Sequence, residues 1–299
     1  MAVEITEEFV WQSIPRRARD SHKGTFGSVL AVAGSAFYRG AALLAAEGAL
    51  RTGAGIVTLA SVEPVVSAAV TRLPECCLCP CEAGAEGGIA PESIPRIQRQ
   101  KATVLLLGPG LGYTAQSAAR AAETRTLVQT LLPGFAGSAV LDADALNALA
   151  AGKYRGDLPA NTILTPHPGE AARLLGLTVP EVQADREGAA VSLAEKYHCV
   201  VVLKGHHTLV AAPDGTVWRN ETGNAGLAKG GSGDILAGLT AGLLAAGLKQ
   251  GRTPEDAAVC AVWLHGAAAD RCAKRRSMTA MLPGDLFEDL GCILGELGR

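Results

Sequence analysis

Short apolar runs alternate with Ala- and Leu-rich stretches along most of the chain. The runs at 29–32, 56–59, 104–107, 140–142, 163–165 and 200–203 have the length of buried strands. The stretch at 41–52 has the length of a helix and is stopped by glycines at 53 and 55. Strands that alternate with helices are typical of a parallel sheet covered by helices. The pattern therefore predicts an α/β protein with a mostly parallel central sheet.

The pattern changes after residue 203. Two short runs, 208–212 and 216–219, flank Pro213-Asp-Gly215, and Asp-Gly between such runs predicts an antiparallel hairpin. Two apolar helices are expected at 234–246 and 254–274, the second capped by Thr253. Because no Pro- or Ser-rich linker and no internal repeat divides the chain, we expect one domain over residues 1–299. Surface loops are expected at 83–95 and 273–282.

Composition narrows the class of function. The chain has 299 residues, of which 48% are hydrophobic, and this is enough to form a large core. A formal net charge of −2 with 19% charged residues offers no basic surface for nucleic acid or for an anionic membrane. The N-terminus is acidic and lacks an uninterrupted apolar stretch, so neither a signal peptide nor a membrane span is expected. We therefore expect a cytoplasmic protein that acts on small molecules.

The chain has eight cysteines, and without an export signal they are expected to be reduced thiols. Cys76 and Cys79 have the spacing of a metal-ligand pair, but no second Cys or His pair lies nearby to complete a zinc site. Cys77, Cys79 and Cys81 alternate as one face of a strand would. This favours a packing role, because free cysteine behaves as a small hydrophobe.

The most informative run is Lys229-Gly-Gly-Ser-Gly-Asp234, which joins a glycine-rich turn to the start of an apolar helix. Gly230, Gly231 and Gly233 let the backbone approach a ligand, and the free N–H groups of a helix start attract anions. A carboxylate here is repelled by phosphate unless it takes a proton from a hydroxyl that attacks phosphorus. Asp234 is therefore a candidate base, and the alternative is a residue that only begins the helix.

Several other polar segments follow predicted strands, where ligands bind in open parallel sheets. Gly108-Pro-Gly-Leu-Gly112 is as typical of an ordinary strand-to-helix turn as of a phosphate cradle, and its proline departs from the dinucleotide fingerprint. No Gly-x-x-x-x-Gly-Lys-Ser/Thr sequence occurs, which excludes a P-loop kinase. The segments at strand ends are 34–40, 108–112, 142–144, 165–170, 204–208 and 230–234.

Three side chains in these segments are candidates for a structural or a functional role. His167 lies between two prolines that hold its ring in place, either as a turn or core histidine or as a ligand contact. Asp144 is explained as a helix cap. Asp142 ends a strand and is a candidate to act through water on a magnesium ion, which binds few carboxylates and several waters.

The segment 204–208 follows a buried strand. Lys204 is either a solvated strand end or a nucleotide contact, and its neighbours Gly205 and Thr208 favour the nucleotide. We expect the backbone of His206 and His207, rather than their side chains, to make the contact.

Taken together, these segments resemble the ribokinase-like superfamily and, within it, the ADP-dependent NAD(P)H-hydrate dehydratases. The resemblance extends from about residue 23 to residue 294. Its most specific pieces are Lys23-Gly-Thr-Phe-Gly-Ser-Val-Leu, Tyr38-Arg-Gly-Ala41, Leu141-Asp-Ala-Asp-Ala-Leu-Asn147, Leu164-Thr-Pro-His-Pro-Gly-Glu170 and Gly230-Gly-Ser-Gly-Asp234.

The resemblance implies a three-layer α/β/α fold and a repair enzyme that acts on the (S) form of hydrated NADH or NADPH. The family phosphorylates the hydroxyl added to the nicotinamide ring, and loss of that phosphate restores the double bond. Because hydroxide is a poor leaving group and phosphate a good one, a kinase site can serve a dehydratase. By resemblance Asp234 is the base, and the segment Gly230, Gly231, Ser232 and Gly233 holds the transferred phosphate.

The remaining roles are also implied by resemblance. The hydrated dinucleotide contacts Ala41, Gly110, Gly112 and His167, and the adenine nucleotide contacts Lys204, Gly205, His206, His207, Thr208 and Gly233. Thr165-Pro-His-Pro-Gly-Glu170 resembles the prokaryotic branch, which implies ADP as the donor, AMP as a product, and Mg²⁺. The chain departs from the family pattern at Ser232, where threonine is common, and at Pro283-Gly-Asp285, where an Ala-Ser-Asp type is expected.

The resemblance also bears on partners. Only about twenty residues precede the first motif, so we expect a separate epimerase to interconvert the two epimers of the hydrate. Because the superfamily often forms dimers or tetramers, we expect a homo-oligomer, with a homotetramer as the specific expectation. No basic cluster marks a site for the additional phosphate of NADPH, so the residues indicate no preference between the two hydrates.

Two alternative functions stay open at this point. A small-molecule kinase of the same superfamily, acting on a vitamin precursor or a sugar, would have the same fold and the same Asp234. The segments 38–41 and 165–170 favour the dehydratase, since they belong to its substrate side. A nucleotide-binding regulator without catalysis is the second alternative, and an intact Asp234 favours an enzyme.

Overall fold

The computed structural model describes residues 2–113, 117–152, 154 and 157–297. These residues form a ten-stranded sheet in the spatial order β4-β3-β2-β5-β6-β7-β8-β9-β10-β1. The strands are β1 Val3–Glu4, β2 Ser28–Val32, β3 Ile56–Val62, β4 Cys77–Cys81, β5 Val104–Leu107, β6 Ser138–Leu141, β7 Ile163–Leu164, β8 Val200–Leu203, β9 Leu209–Ala211 and β10 Val217–Arg219.

All neighbours from β4 to β8 are parallel, whereas β9 is antiparallel to both β8 and β10. In register, Val29 of β2 lies between Val57 of β3 and Val104 of β5. The residues of β5, β6 and β8 are all buried, as strands with helices on both faces of the sheet must be. The predicted α/β class, the parallel sheet and the hairpin are therefore confirmed.

The helices cover the two faces of the sheet. Thr253 caps α11 as predicted, through a reciprocal pair of hydrogen bonds with Asp256. The helices are α1 Glu7–Ser13, α2 Arg39–Arg51, α3 Glu63–Arg72, α4 Ile94–Gln98, α5 Ala118–Leu131, α6 Asp144–Ala150, α7 Pro168–Leu175, α8 Val179–Ala184, α9 Arg186–Tyr197, α10 Ser232–Leu248, α11 Pro254–Arg276 and α12 Leu286–Leu297.

Helix α10 is the central helix and is buried along almost its whole length. It packs against α2 so closely that a Cβ added to Gly238 would overlap the carbonyl oxygen of Ala45. Thr52, the residue that caps the end of α2, also donates a hydrogen bond to the carbonyl oxygen of Leu239, 3.1 Å away. Small residues thus allow backbone-to-backbone packing that fixes α10, and with it the glycine-rich turn at its start.

Two predicted loops are wrong in part. The segment 83–95 contains the 3₁₀ turns Ala85–Gly87 and Pro91–Ser93 and the start of α4, and Ile89 within it is fully buried. The second predicted loop, 273–282, begins inside α11, which continues to Arg276. Basic residues stabilise the last turn of a helix, and Lys274, Arg275 and Arg276 occupy the last turn of α11.

All eight cysteines are free. Cys79 and Cys81 are buried on β4, whereas Cys77 at its start is exposed. Burial raises the pKa of Cys76 and of Cys81 to about 12, so both thiols stay protonated and pack as hydrophobes. Within the part of the chain that the structure describes, no three His, Cys, Asp or Glu side chains form a metal-binding group, and no helix is apolar and long enough to span a bilayer.

Candidate active site

A cavity of about 530 Å³ opens beyond the carboxyl ends of the parallel strands. The strand order reverses between β2 and β5, which is where open α/β sheets bind ligands. Of the predicted site residues, Ala41, Gly110, Gly112, Gly230, Gly231 and Asp234 lie in its wall. The rest of the wall is formed by Ser35, Phe37, Tyr38, Glu86, Tyr113, Arg120, Ala143 and Asp144.

The Gly-Pro-Gly-Leu-Gly loop after β5 packs against the start of α2 and the end of β6. Gly110 has φ +64°, and a Cβ there would come within 2.8 Å of the Ala41 Cβ and 2.9 Å of the Tyr38 Cβ. Gly108 has φ +128°, and a Cβ there would overlap the carbonyl oxygen of Asp142. Both conformations favour glycine. The glycines therefore let three loops meet at the cavity wall.

The turn before α10 supplies free backbone donors. Gly231 caps the helix with φ +101°, in the left-handed region. The N–H of Ser232 donates to the carbonyl oxygen of Lys229, 3.3 Å away. Among the described residues, the N–H groups of Gly233 and Asp234 have no acceptor. Two free N–H groups and the positive end of the helix dipole are features that can attract an anion, and the predicted phosphate contact at this turn remains a prediction.

Asp234 lies in the cavity wall beside these donors. Burial raises its pKa to about 6; Asp142 and Asp144 add to the rise, and the ammonium group of Lys204 opposes it. A carboxylate with this pKa is ionised at neutral pH and is a better proton acceptor than an ordinary aspartate. The structure therefore places a carboxylate with a raised pKa next to free backbone N–H groups, and the role of Asp234 as the base remains a prediction.

Lys204 lies at the end of β8 with only 17% of its side chain exposed, so the interpretation as a solvated strand end is wrong. Its Nζ is 2.6 Å from Oδ1 of Asp142 and 3.7 Å from Oε2 of Glu170. It is also 3.5 Å from the position that a Cβ on Gly233 would take. Burial alone would lower the pKa of Lys204, but the two carboxylates raise it. Lys204 is therefore protonated at neutral pH, and its positive charge lies close to the start of α10.

Asp142 is buried and has two partners on one oxygen. Thr165 donates a hydrogen bond to its Oδ1 from 2.7 Å, and Lys204 forms the ion pair with the same atom. The ion pair connects the ends of β6 and β8, on either side of β7. The water-mediated magnesium role of Asp142 remains a prediction.

Asp144 is not the helix cap that the sequence suggested. Ala143 occupies the cap position, with φ +48° and no side-chain hydrogen bond, and Asp144 is the first residue of α6. Its Oδ2 accepts the N–H of Gly112 from 2.7 Å. The carboxylate of Asp144 therefore holds the loop after β5 in place and does not cap α6.

His167 caps helix α7. Its Nδ1 accepts the N–H of Gly169 from 3.0 Å, and Glu170 accepts the N–H of His167 from 2.8 Å. Burial lowers the pKa of His167, and the positive charge of Lys204 lowers it further, so the ring is neutral at pH 7. The ring is half exposed and lies outside the cavity wall, so its contact with the dinucleotide remains a prediction.

The segment 204–208 is supported from below by Arg186 at the start of α9, which sequence reasoning missed. Its guanidinium donates to the carbonyl oxygens of Leu203 and Lys204 over 3.2–3.5 Å. A Cβ on Gly205, at φ +146°, would come within 2.8 Å of this group. His206 and His207 are exposed. The backbone of the segment 204–208 is therefore held in place, and its contact with the nucleotide remains a prediction.

Sequence reasoning also missed Arg120 and His265, whose only visible signal is a polar residue among apolar neighbours. Arg120 of α5 is buried and donates to the carbonyl oxygens of Leu111 and Ile89. His265 of α11 is buried with its Nε2 3.3 Å from Oγ of Ser232. Neither contact joins residues close in sequence, so local patterns do not predict them.

The fold and site define a class: an α/β protein whose central helix begins at a glycine-rich turn, with a buried aspartate of raised pKa in the cavity wall. The structure is similar to a ribokinase-like superfamily protein from Enterococcus faecalis, with a TM-score of 0.82 and 25% identity over 99% of this chain and 96% of the other. It is also similar to an ADP/ATP-dependent NAD(P)H-hydrate dehydratase from Bacillus subtilis, co-crystallised with ATP/Mg²⁺. That TM-score is 0.85, at 34% identity over 99% of each chain.

The family follows from the sequence comparison. The family model described as NAD(P)H-hydrate dehydratase matches residues 29–291, and the chain belongs to this family. It is 42% identical over 275 residues to the ADP-dependent (S)-NAD(P)H-hydrate dehydratase of Neisseria meningitidis, covering 90% of this chain and 86% of the other. The chain spans about half the length of the bifunctional NAD(P)H-hydrate repair enzymes it also matches.

Proposed function

We propose that this chain is an ADP-dependent dehydratase that returns the (S) epimer of hydrated NADH or NADPH to NADH or NADPH. AMP and phosphate are the other products. One observation carries the proposal: Asp234, with its pKa raised to about 6, lies in the cavity wall beside the free N–H groups of the helix start. Membership of the family favours this function over a vitamin or sugar kinase.

In the first step, Asp234 takes the proton of the ring hydroxyl as its oxygen attacks the terminal phosphorus of ADP. The bond from that phosphorus to AMP breaks, and AMP leaves. The N–H groups of Gly233 and Asp234, which have no acceptor among the described residues, are available to stabilise the charge that develops on the phosphoryl oxygens. Lys204 adds a positive charge beneath the same turn.

In the second step, the carbon–oxygen bond breaks and the ring hydroxyl oxygen leaves as part of phosphate. The ring nitrogen supplies electrons, and the neighbouring carbon gives a proton to the departing phosphate, which restores the double bond. Asp234 then returns the proton of the first step to solvent. The same donors stabilise the leaving phosphate, because its negative charge develops at the same position. Atoms balance as hydrate plus ADP giving nicotinamide coenzyme, AMP and phosphate.

We assign the nucleotide to the segment 204–208 and the dinucleotide to the cavity. The backbone of Gly205 and His206 is available to the nucleotide, directly after the carbonyl oxygens of Leu203 and Lys204 that accept from Arg186. Ala41, Gly110 and Gly112 line part of the cavity, and their small size at these three positions leaves room for the hydrated ring. His167 directly follows Pro166, whose carbonyl oxygen accepts the N–H of Lys204 from 2.8 Å, and we also assign it to the dinucleotide.

Magnesium accompanies most phosphoryl transfers. The described residues offer no cluster of three ligands, and Asp142 Oδ1 is already paired with Lys204. The side chains therefore do not fit a dedicated magnesium site. We expect phosphate oxygens and waters to supply most of the ligands when the ion arrives with the nucleotide.

Chemistry also predicts a partner activity. Addition of water to the planar nicotinamide ring produces two epimers, and a site shaped for one does not accept the other. We propose an epimerase as the functional partner that supplies the (S) form. Full recovery from a mixture of epimers then requires both activities.

The test is to mix the purified protein with hydrated NADH, Mg²⁺ and either ADP, ATP or no nucleotide. We expect NADH absorbance to return with ADP, AMP to appear in equal amount, and recovery to stop when the (S) epimer is exhausted. Asp234→Asn should bind nucleotide and show no turnover. Failure of NADH to return with either nucleotide, although the protein binds them, would contradict the proposal and favour the kinase alternative, tested with vitamin precursors and sugars.

A further inference from the structure

His265 has no role in the steps above, although it is the buried histidine closest to them. It lies in α11 among apolar residues, with 7% of its surface exposed. Its Nε2 is 3.3 Å from Oγ of Ser232, the first residue of α10. Ser232 is itself 7% exposed. The pair therefore joins α11 to the anion-binding turn.

The ring of His265 is uncharged at neutral pH. Burial lowers its pKa to about 4; a hydrogen bond with the backbone of Ser232 opposes this, and the charge of Lys204 lowers the pKa further. A neutral imidazole carries one N–H donor and one acceptor nitrogen. In the described part of the chain, Ser232 supplies the hydrogen-bond contact of this ring. The ring therefore acts by hydrogen bonding and not by charge.

The hydroxyl of Ser232 is the donor that this residue still has available. Its backbone N–H already donates to the carbonyl oxygen of Lys229. A serine hydroxyl rotates freely, with one proton to donate and two lone pairs to accept. If Nε2 of His265 donates to the hydroxyl oxygen, the hydroxyl proton must point elsewhere, and the helix start is the adjacent place where an anion binds.

We propose that His265 is a positioning residue for phosphoryl transfer: its Nε2–H donates to Oγ of Ser232 and directs the Ser232 hydroxyl proton to the phosphoryl group at the start of α10. This inference rests on the proposed function and adds a third donor to the N–H groups of Gly233 and Asp234. It also explains why a polar ring occupies an apolar helix interface, where burying it without a partner would be costly.

The test is a double-mutant cycle between His265 and Ser232, in which His265 is replaced by a longer amide side chain, Gln, or by a shorter one, Asn. The amide nitrogen of His265→Gln can occupy the position of Nε2, whereas His265→Asn is too short to contact Ser232. We expect His265→Asn to lower kcat roughly tenfold with little change in either KM, and His265→Gln to keep most of the activity. Ser232→Ala should lower kcat roughly 10- to 100-fold, as loss of a donor to a developing charge does.

The decisive comparison is His265→Asn in the Ser232→Ala background, where it should have no further effect on kcat. Multiplication of the two effects, or equal losses with Gln and Asn, would overturn the inference. Melting temperatures and ADP binding report folding, and His265→Leu takes the place of Asn if that variant does not fold. If the wild-type protein recovers no NADH, the proposed function has failed; if it does and the effects multiply, only the role of His265 has failed.

Discussion

Replacing Lys204 with methionine removes a charge and keeps most of the side-chain volume. The lost ammonium group lies 2.6 Å from a buried carboxylate oxygen of Asp142, with Glu170 also near. Methionine leaves Asp142 without a counter-charge in a buried site. Loss of one partner of a buried pair costs about 3–5 kcal/mol of folding free energy.

The same change must alter the pH dependence of turnover. The pKa of Asp234 is about 6, with Asp142 raising it and Lys204 lowering it. A charge within a few ångströms moves a carboxyl pKa by about one unit or more. Lys204→Met therefore raises the pKa of Asp234 above 6, and Asp142→Asn lowers it. Because the ionised form is the base, activity is lost as the pH falls through this pKa.

The assay is kcat for NADH recovery across the acid to neutral range, at saturating ADP and hydrate. We expect the acidic limb to move to higher pH in Lys204→Met and to lower pH in Asp142→Asn. The double variant, which lacks both charges, should return close to the wild-type limb and regain most of the stability in urea unfolding. Limbs that stay unchanged, or that move in the same direction in both single variants, would refute the assignment of Asp234 as the titrating base.

Three further predictions follow from the packing, and the first two each compare a variant with a matched control. Gly231 has φ +101°, and a Cβ there would lie 2.7 Å from a Leu44 methyl group, so Gly231→Ala should lower both the melting temperature and the activity. In Gly230→Ala the new methyl group enters open space and should not lower the melting temperature. Equal melting temperatures for the two variants would contradict this prediction. Gly238→Ala should cost about 1–3 kcal/mol in urea unfolding by overpacking α10. Gly291→Ala, with no neighbour within 4 Å, should gain up to about 1 kcal/mol, and a loss would refute the packing argument. Two cysteines are exposed, Cys77 and Cys292, and a thiol reagent should modify both rapidly in the folded protein. Rapid modification of more than two thiols would contradict the burial of the other cysteines.

The parallel sheet could be predicted because its central strands are buried on both faces and read as apolar runs. Two edge strands could not be predicted with the same ease. Strand β4 contains Pro80, which is tolerated at a sheet edge and argues against a central strand. Strand β1 has two residues, too few for alternation to be visible.

The site was predicted from residues that follow strands, and the cavity brings six of those together with Asp234 among them. The electrostatics could not be predicted, because Asp142 and Lys204 are 62 residues apart and meet only through the order of β6, β7 and β8. Asp144 was assigned to its own helix, since local spacing favours a cap and does not show the N–H of Gly112. The cap at His167 had a visible signal, a glutamate three residues later, but histidine is an uncommon capping residue.

The central claim is that a phosphorylation site performs a dehydration, and an isotope label tests it most directly. NADH hydrated in ¹⁸O water carries the label in its ring hydroxyl, and the reaction is then run in ordinary water with ADP and Mg²⁺. If the hydroxyl attacks phosphorus and leaves with it, the label appears in inorganic phosphate, as measured by mass spectrometry. Label in the solvent, with unlabelled phosphate, would show that water is eliminated directly and that the phosphoryl group never reaches the substrate.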